Sequence, residues 1–265
     1  MMKMTEMVKH LLIINIIFFL GTYLVPISFE LLSLHYFETD KFHFWQPLTH
    51  MFLHDKRTLM HIFFNMFALV SFGSPLEHYW GSKRFLLFYF VCGLGAGLIH
   101  SVVNYFEIHH TLEYISHLNL NSEHIHTILN ADYLFNENGF PLDDEIYKLG
   151  SSLGITNRDD LVYMANVAAQ SSSEAVGASG AIYGLLVAFA FMFPNAELGI
   201  MFIPIPIKAK YFVPAIVLMD LFSGITGFSI FGGGIAHFAH VGGALFGFIL
   251  MWIWRNRKFK HNRWN

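Results

Sequence analysis

Cysteine and charge are what this chain has least of. Of its 265 residues a single one, Cys92, is a cysteine, so no disulfide forms within the chain and the thiols give no reading of the compartment. Charged residues make up 13% of the chain, against about 25% in an ordinary soluble domain. That shortage argues against a water-soluble globule. Internal repeats, heptad runs and low-complexity tracts are also missing, which sets aside solenoids, coiled coils and disordered arrays. No nucleic-acid partner is expected.

Apolar surface takes the place of the missing charge. Hydrophobic residues account for 54% of the chain and Phe alone for 29 positions. A spanning helix needs roughly 20 mostly apolar residues. Charge-free windows of that length lie between Lys9 and Glu30, Arg57 and Glu77, Arg84 and Glu107, and Glu174 and Glu197. The stretch from Tyr211 to Trp254 holds only Asp220 as a charge and is too long for one pass, and its "FGGGIAHF" offers a place to turn. The expectation is an all-α membrane protein with six transmembrane helices embedded in a lipid bilayer.

Placing both termini in the cytosol puts eleven Lys and Arg on the inner side, against five outside: Lys41, Lys56, Arg57, Lys148 and Arg158. The first window follows Lys3 and Lys9 as a signal peptide would, but lacks a convincing small-x-small cleavage site and reads as a retained helix. The expected divisions are 1–41 (N-terminus, first helix and start of the first outer loop), 42–105 (outer loop, second and third helices), 106–174, 175–255 (last three helices) and 256–265 (a basic cytosolic tail). Segment 106–174 is rich in Asp and Glu, with apolar residues such as Leu112, Ile115, Leu118 and Leu120 between them. It reads as a long acidic outer insertion, partly helical and amphipathic, forming a solvated lid or interface segment.

Polar groups inside a membrane are costly and mark function by default. At 1.5 Å per residue His61 and Asn65 lie roughly 6 and 12 Å below the outer boundary, on one helical face. Ser179, five residues past Glu174, lies about 7 to 8 Å deep, with Tyr183 one turn further in. Counted back from Arg255, His240 is about 22 Å from the inner edge, hence about 8 Å from the outer one in a core near 30 Å thick. Three helices thus bring Ser, His and a His/Asn pair to similar depth. A serine hydroxyl becomes a nucleophile when an imidazole takes its proton, and the resulting oxyanion needs donors. Gly177 and Gly180 permit tight turns and close approach. Small-residue faces at Gly180, Gly184 and Ala188, and at His240, Gly243, Ala244 and Gly247, let two helices meet.

His237 and His240 have an i, i+3 spacing that metal ligands can use, but no carboxylate is expected at their depth and no metal is expected. Asp220 counts to mid-membrane, where bonding to a helix terminus or loop is the reading favoured here over a proton or ion pathway.

With "GASG" at 177–180, "AHVGGALFG" at 239–247, "HIFFN" at 61–65 and "GSKRF" at 81–85 followed by "CG", the chain resembles the rhomboid intramembrane serine proteases. The resemblance implies a six-helix rhomboid-like bundle with the long insertion between helices 3 and 4. It also implies a Ser179/His240 dyad without a required acid, His61 and Asn65 in the oxyanion hole, Tyr183 packed on the catalytic imidazole, and Gly177, Gly180 and Gly243 in support. No cofactor is implied. Substrates would be transmembrane proteins cut near the outer end of their span. The expected location is a bacterial plasma membrane, and "FSIFGGGIAHF" is expected to cap the site. The insertion and the missing Trp-Arg pair in the first loop depart from the family's pattern. The alternative is a catalytically inactive rhomboid-like protein that binds client helices.

Overall fold

The computed structural model describes residues 3–56, 58–131, 144–200, 203–228 and 236–254. Arg57, Asp132, Glu137, Asp143, most of the expected cap and the basic tail 256–265 lie outside the described residues. In chain order the main helices are α1 (Glu6–Leu24), α2 (Leu59–Trp80), α3 (Ser82–Tyr114), α4 (Ser122–Asn130), α5 (Asp144–Ser152), α6 (Arg158–Ser172), α7 (Ser179–Met192), α8 (Ala209–Thr226) and α9 (His237–Trp254). A small antiparallel hairpin, β1 (Glu197–Ile200) and β2 (Ile203–Lys208), pairs Glu197 with Lys208 and joins α7 to α8.

Five of these helices, α1, α2, α3, α8 and α9, are long and apolar enough to cross a membrane. The protein is a largely helical membrane bundle. The sixth apolar helix, α7, departs from its expected window. Gly177 has φ +127°, which closes the helical conformation before Ser179, and Pro194 follows its end. Its 14 residues span about 21 Å, less than the hydrocarbon core of about 30 Å. Ser179 therefore stands on the first turn of a short helix. In contrast α3, at 33 residues, runs about 50 Å and outlasts the window ending at Glu107. The break expected in the last apolar stretch opens at Gly227, a left-handed C-cap with φ +69° whose N–H returns to the Ser223 carbonyl at 2.9 Å.

The chain forms two compact units. The first comprises Met1–Leu32, Pro47–His100 and Val176–Asn265. Its core is built from Leu69, Leu76, Phe85, Phe88, Tyr89, Cys92, Leu185 and Ala188, all buried. Ile17, Phe67, Leu98, Leu218 and Phe248 are exposed on it, an apolar exterior that lipid would cover.

A buried acid anchors α1. The Glu77 carboxylate, on the last turns of α2, accepts the backbone N–H groups of Met7 and Val8 at 3.0 Å each, together with the hydroxyls of Thr5 and, at 2.7 Å, Ser82. It satisfies orphan donors of the first turn of α1 and lies on the positive end of its dipole. This explains why α1 begins at Glu6, ahead of the Lys9 boundary expected from charge. Met7 N–H bonds Oε1 and Val8 N–H bonds Oε2, so Glu77→Gln sets an NH2 donor against one of the two in either orientation of the amide. A loss of about 2 to 3 kcal/mol is expected, measured as a lower thermal transition in detergent.

The second unit joins Ser33–Gln46 to Ser101–Ala175. Tyr36, Ile108, Ile115, Ile128, Ile146, Met164 and Val167 form its core, with Leu112, Leu118 and Leu120 packed at the margin. An Asn121 capping box starts α4, and Asn157 caps α6. Leu34 pairs with Ala175 as an isolated bridge, while the Ser33 hydroxyl donates to Glu174 at 2.6 Å. The apolar residues interleaved with the acids of the insertion thus serve a core of their own.

Candidate active site

Glycines set how closely the helices of the first unit approach. A β-carbon on Gly243 would fall 1.8 Å from the Gly180 carbonyl oxygen, and one on Gly247 would fall 2.7 Å from the Gly184 α-carbon. Helix α3 meets both: a β-carbon on Gly180 would fall 2.4 Å from the Ala96 side chain, and one on Gly242 would fall 2.7 Å from the Ile99 side chain. The backbones of α7 and α9 thus touch, and α3 closes on them from behind, as small-residue packing allows.

That contact brings together Ser179, on the first turn of α7, and His240, on the first turn of α9. His240 Nε2 lies 2.9 Å from Ser179 Oγ. The Tyr183 ring stacks on the imidazole with centroids 4.3 Å apart and planes 12° from parallel.

The far edge of the imidazole, at Nδ1, differs from the sequence expectation. Asp220 of α8 bonds side chains on the first turn of α9 and on α7, and a carboxylate does stand at the level of the two histidines. Its Oδ1 lies 3.3 Å from His240 Nδ1 and 2.5 Å from His237 Nδ1, and its Oδ2 accepts the Tyr183 hydroxyl. Asp220 is buried, so these three donors satisfy a charge that would otherwise be expensive to bury. Counting residues from the helix ends misses this arrangement, because depth alone does not tell which way a side chain faces. A signal was present in the spacing: α8 and α9 are neighbours in the chain, and each carries an ionisable group in an apolar stretch.

The hydrogen bonds assign the tautomers. A carboxylate only accepts, so His240 carries its proton on Nδ1 and leaves Nε2 free to accept from the Ser179 hydroxyl. His61 is set the opposite way. Its Nδ1 accepts the backbone N–H of Asp55 at 3.1 Å, so its proton is on Nε2. A β-carbon on Gly177 would meet His61 Nε2 at 3.1 Å and Ser179 Oγ at 3.4 Å. The donor and the hydroxyl therefore border one space, which a side chain at 177 would fill. Gly177 is held there by its N–H, which donates to the His50 carbonyl at 2.9 Å.

Ala178, the N-cap of α7, supplies no side-chain cap, so the first-turn N–H groups of the helix face this region without an intrahelical partner. Asn65, one turn along from His61, donates from Nδ2 to the His61 carbonyl at 2.8 Å. That amide steadies the helix turn that carries His61. The sequence reading also passed over His54, fully buried at the entrance to α2 with its ring centroid 5.2 Å from that of His61. Burial keeps His54 neutral by pushing its pKa down to about 3.

A hydroxyl on an acceptor imidazole, an acid on the imidazole's far nitrogen and N–H donors beside the hydroxyl are the parts of acyl transfer. The Rhomboid domain family model matches residues 41–109 and 159–257, more than half of the chain. The chain belongs to the rhomboid family. Among curated proteins, presenilin-associated rhomboid-like protein, mitochondrial, from Rattus norvegicus and from Homo sapiens is 36% identical over 105 residues in each case. Presenilin-associated rhomboid-like protein A, mitochondrial, from Danio rerio is 34% identical over 105 residues. Each match covers 36% of this chain and 26% of the relative's length. The mitochondrial names lend no support to the bacterial plasma membrane expected above. The multi-pass membrane character rests on the helices themselves.

Proposed function

We propose that the chain is an intramembrane serine endopeptidase that cleaves transmembrane proteins near the end of the span at which Ser179 stands. The observation that carries this reading is the 2.9 Å approach of His240 Nε2 to Ser179 Oγ, with Nδ1 turned to Asp220. In this mechanism Ser179 Oγ attacks the scissile carbonyl carbon as its proton passes to His240 Nε2. The oxyanion is received by the Nε2–H of His61 and by first-turn N–H groups of α7. His240 then protonates the departing amine, leaving an acyl ester on Ser179. A water that gives its proton to His240 attacks this ester, and as the bond from the acyl carbon to Ser179 Oγ breaks His240 returns that proton to Oγ, releasing the new carboxylic acid, which ionises in water. Asp220 keeps the proton of the resting imidazole on Nδ1 and stabilises the imidazolium formed twice in each turnover.

The substrate helix must unwind locally, since a helical peptide bond is shielded by its own hydrogen bonds, and helix-weakening residues at the cut site favour cleavage. The enzyme acts in a multi-pass membrane setting with both termini on the cytosolic side or its organellar equivalent.

Fluorophosphonate labelling of the purified chain tests the reading, because only an activated serine reacts. Covalent modification is expected at Ser179 and is expected to vanish in Ser179→Ala and His240→Ala. The same two variants should fail to cleave a transmembrane substrate in liposomes. A wild-type chain that is folded, unlabelled and inactive would instead be a rhomboid-like binder of client helices.

A further inference from the structure

We propose that Asp220, His237 and His240 form a binding site for a divalent transition-metal ion of the zinc class, and that the bound ion silences Ser179 by reversing the tautomer of His240. The regulatory half of this proposal rests on the reading of His240 as the general base. The binding half does not.

The ligand set comes from the geometry. One carboxylate oxygen and two imidazole nitrogens, each offering a single ligand atom, lie within 4.8 Å of one another. Imidazole with carboxylate suits zinc and its neighbours, whereas magnesium and calcium prefer oxygen alone. In a tetrahedral zinc site with bonds of about 2.0 to 2.1 Å, ligand atoms stand about 3.3 Å apart. The His240 Nδ1 to Asp220 Oδ1 edge is already 3.3 Å. The His237 edge, at 2.5 Å, has to open by about 0.8 Å, within reach of a side-chain adjustment at the first residue of α9. The side chains are little exposed, at 7% for Asp220, 13% for His237 and 14% for His240. Tyr183 holds the second carboxylate oxygen, an outer contact that orients the ligand.

The consequence for the serine is a matter of proton placement. A neutral imidazole binds a metal through a nitrogen without a proton. With the ion on Nδ1, the one proton of His240 moves to Nε2, the nitrogen 2.9 Å from Ser179 Oγ. Nε2 then donates to the hydroxyl and cannot accept from it. The same carboxylate that keeps the base ready when it accepts a proton-borne hydrogen bond disables the base when it shares a metal.

The test titrates Co2+ into the purified full chain in detergent and follows the visible d–d absorption of the four-coordinate ion. Saturable absorption is expected in the wild type and in Ser179→Ala, displaced by Zn2+, with the affinity reduced at least about tenfold in His237→Gln. In the labelling assay, Zn2+ is expected to slow modification of Ser179 at least about tenfold in the wild type and less than about twofold in His237→Gln. Absence of the Co2+ spectrum in the wild type, or an equal spectrum in His237→Gln, overturns the site. Equal Zn2+ inhibition of both proteins overturns the regulation while leaving the protease reading intact. A Co2+ spectrum that needs His237, in a protein whose serine never reacts, keeps the site and removes the protease reading. Zinc-edge X-ray absorption of the wild type is independent of any variant's folding: imidazole scattering from two histidines is expected, and its absence rejects the site.

Discussion

Asp220→Asn is expected to lower kcat for cleavage by about 10²- to 10⁴-fold with little change in KM. The carboxylate accepts from His240 Nδ1 at 3.3 Å, whereas an asparagine amide can donate to that nitrogen through its NH2 group. A donor at Nδ1 favours the tautomer with the proton on Nε2, which faces Ser179 and then cannot take the hydroxyl proton. The neutral amide also withdraws the negative charge that stabilises the imidazolium. Size is conserved and Tyr183 keeps an acceptor, so the variant should fold, as checked by gel filtration and the thermal transition. Ser179 labelling should slow in parallel with cleavage. A dyad that needs no acid, as the family resemblance implies, would change by less than about threefold, and that result would reduce Asp220 to a structural hydrogen-bond acceptor.

The sequence carried some parts of this site and not others, for physical reasons. Chain distance from a charged helix end converts into depth where the intervening residues are helical, which holds for His240 counted back along α9 but not for Ser179, since residues 174–178 precede the start of α7. Glycine at i, i+4 spacing also marks where backbones touch, and this placed the α7–α9 contact. Depth carries no azimuth, however. Asp220 and His237 meet because α8 turns that face toward α9, and no count along either helix reports it. Tautomers were equally hidden: the orientation of His61 follows from the Asp55 N–H, a backbone group with no signature in residue type. Helix bounds failed where a local contact overrode composition. Glu77 extends α1 back to Glu6, and Gly177 at one end with Pro194 at the other limits α7 to 14 residues. In the insertion, acidic residues suggested a solvated face, while Ile108, Ile115, Ile128 and Ile146 built a second core beneath it. Long-range apolar clustering of that kind is set by tertiary packing and leaves only a weak periodic trace.

The α7–α9 contact gives the other large expected effect. Gly243→Ala is expected to reduce cleavage at least about 100-fold and to lower the thermal transition, from the addition of a single methyl group. Its β-carbon would stand 1.8 Å from the Gly180 carbonyl oxygen and 2.6 Å from the carbonyl carbon, so the obstruction is backbone that cannot swing aside. The two helices must separate by more than about 1 Å to restore van der Waals contact. That movement is applied one turn from His240 and one residue from Ser179. A nucleophile and base displaced by about 1 Å lose roughly two orders of magnitude in rate. The overpacking itself should cost about 1 to 3 kcal/mol. Gly21→Ala is the control, since it adds the same methyl to the interior of α1 where nothing lies within 4 Å. It should leave activity unchanged and raise stability by about 0.5 to 1 kcal/mol through helix propensity. If Gly243→Ala cleaved as fast as Gly21→Ala, the glycine contact would not be what holds Ser179 against His240.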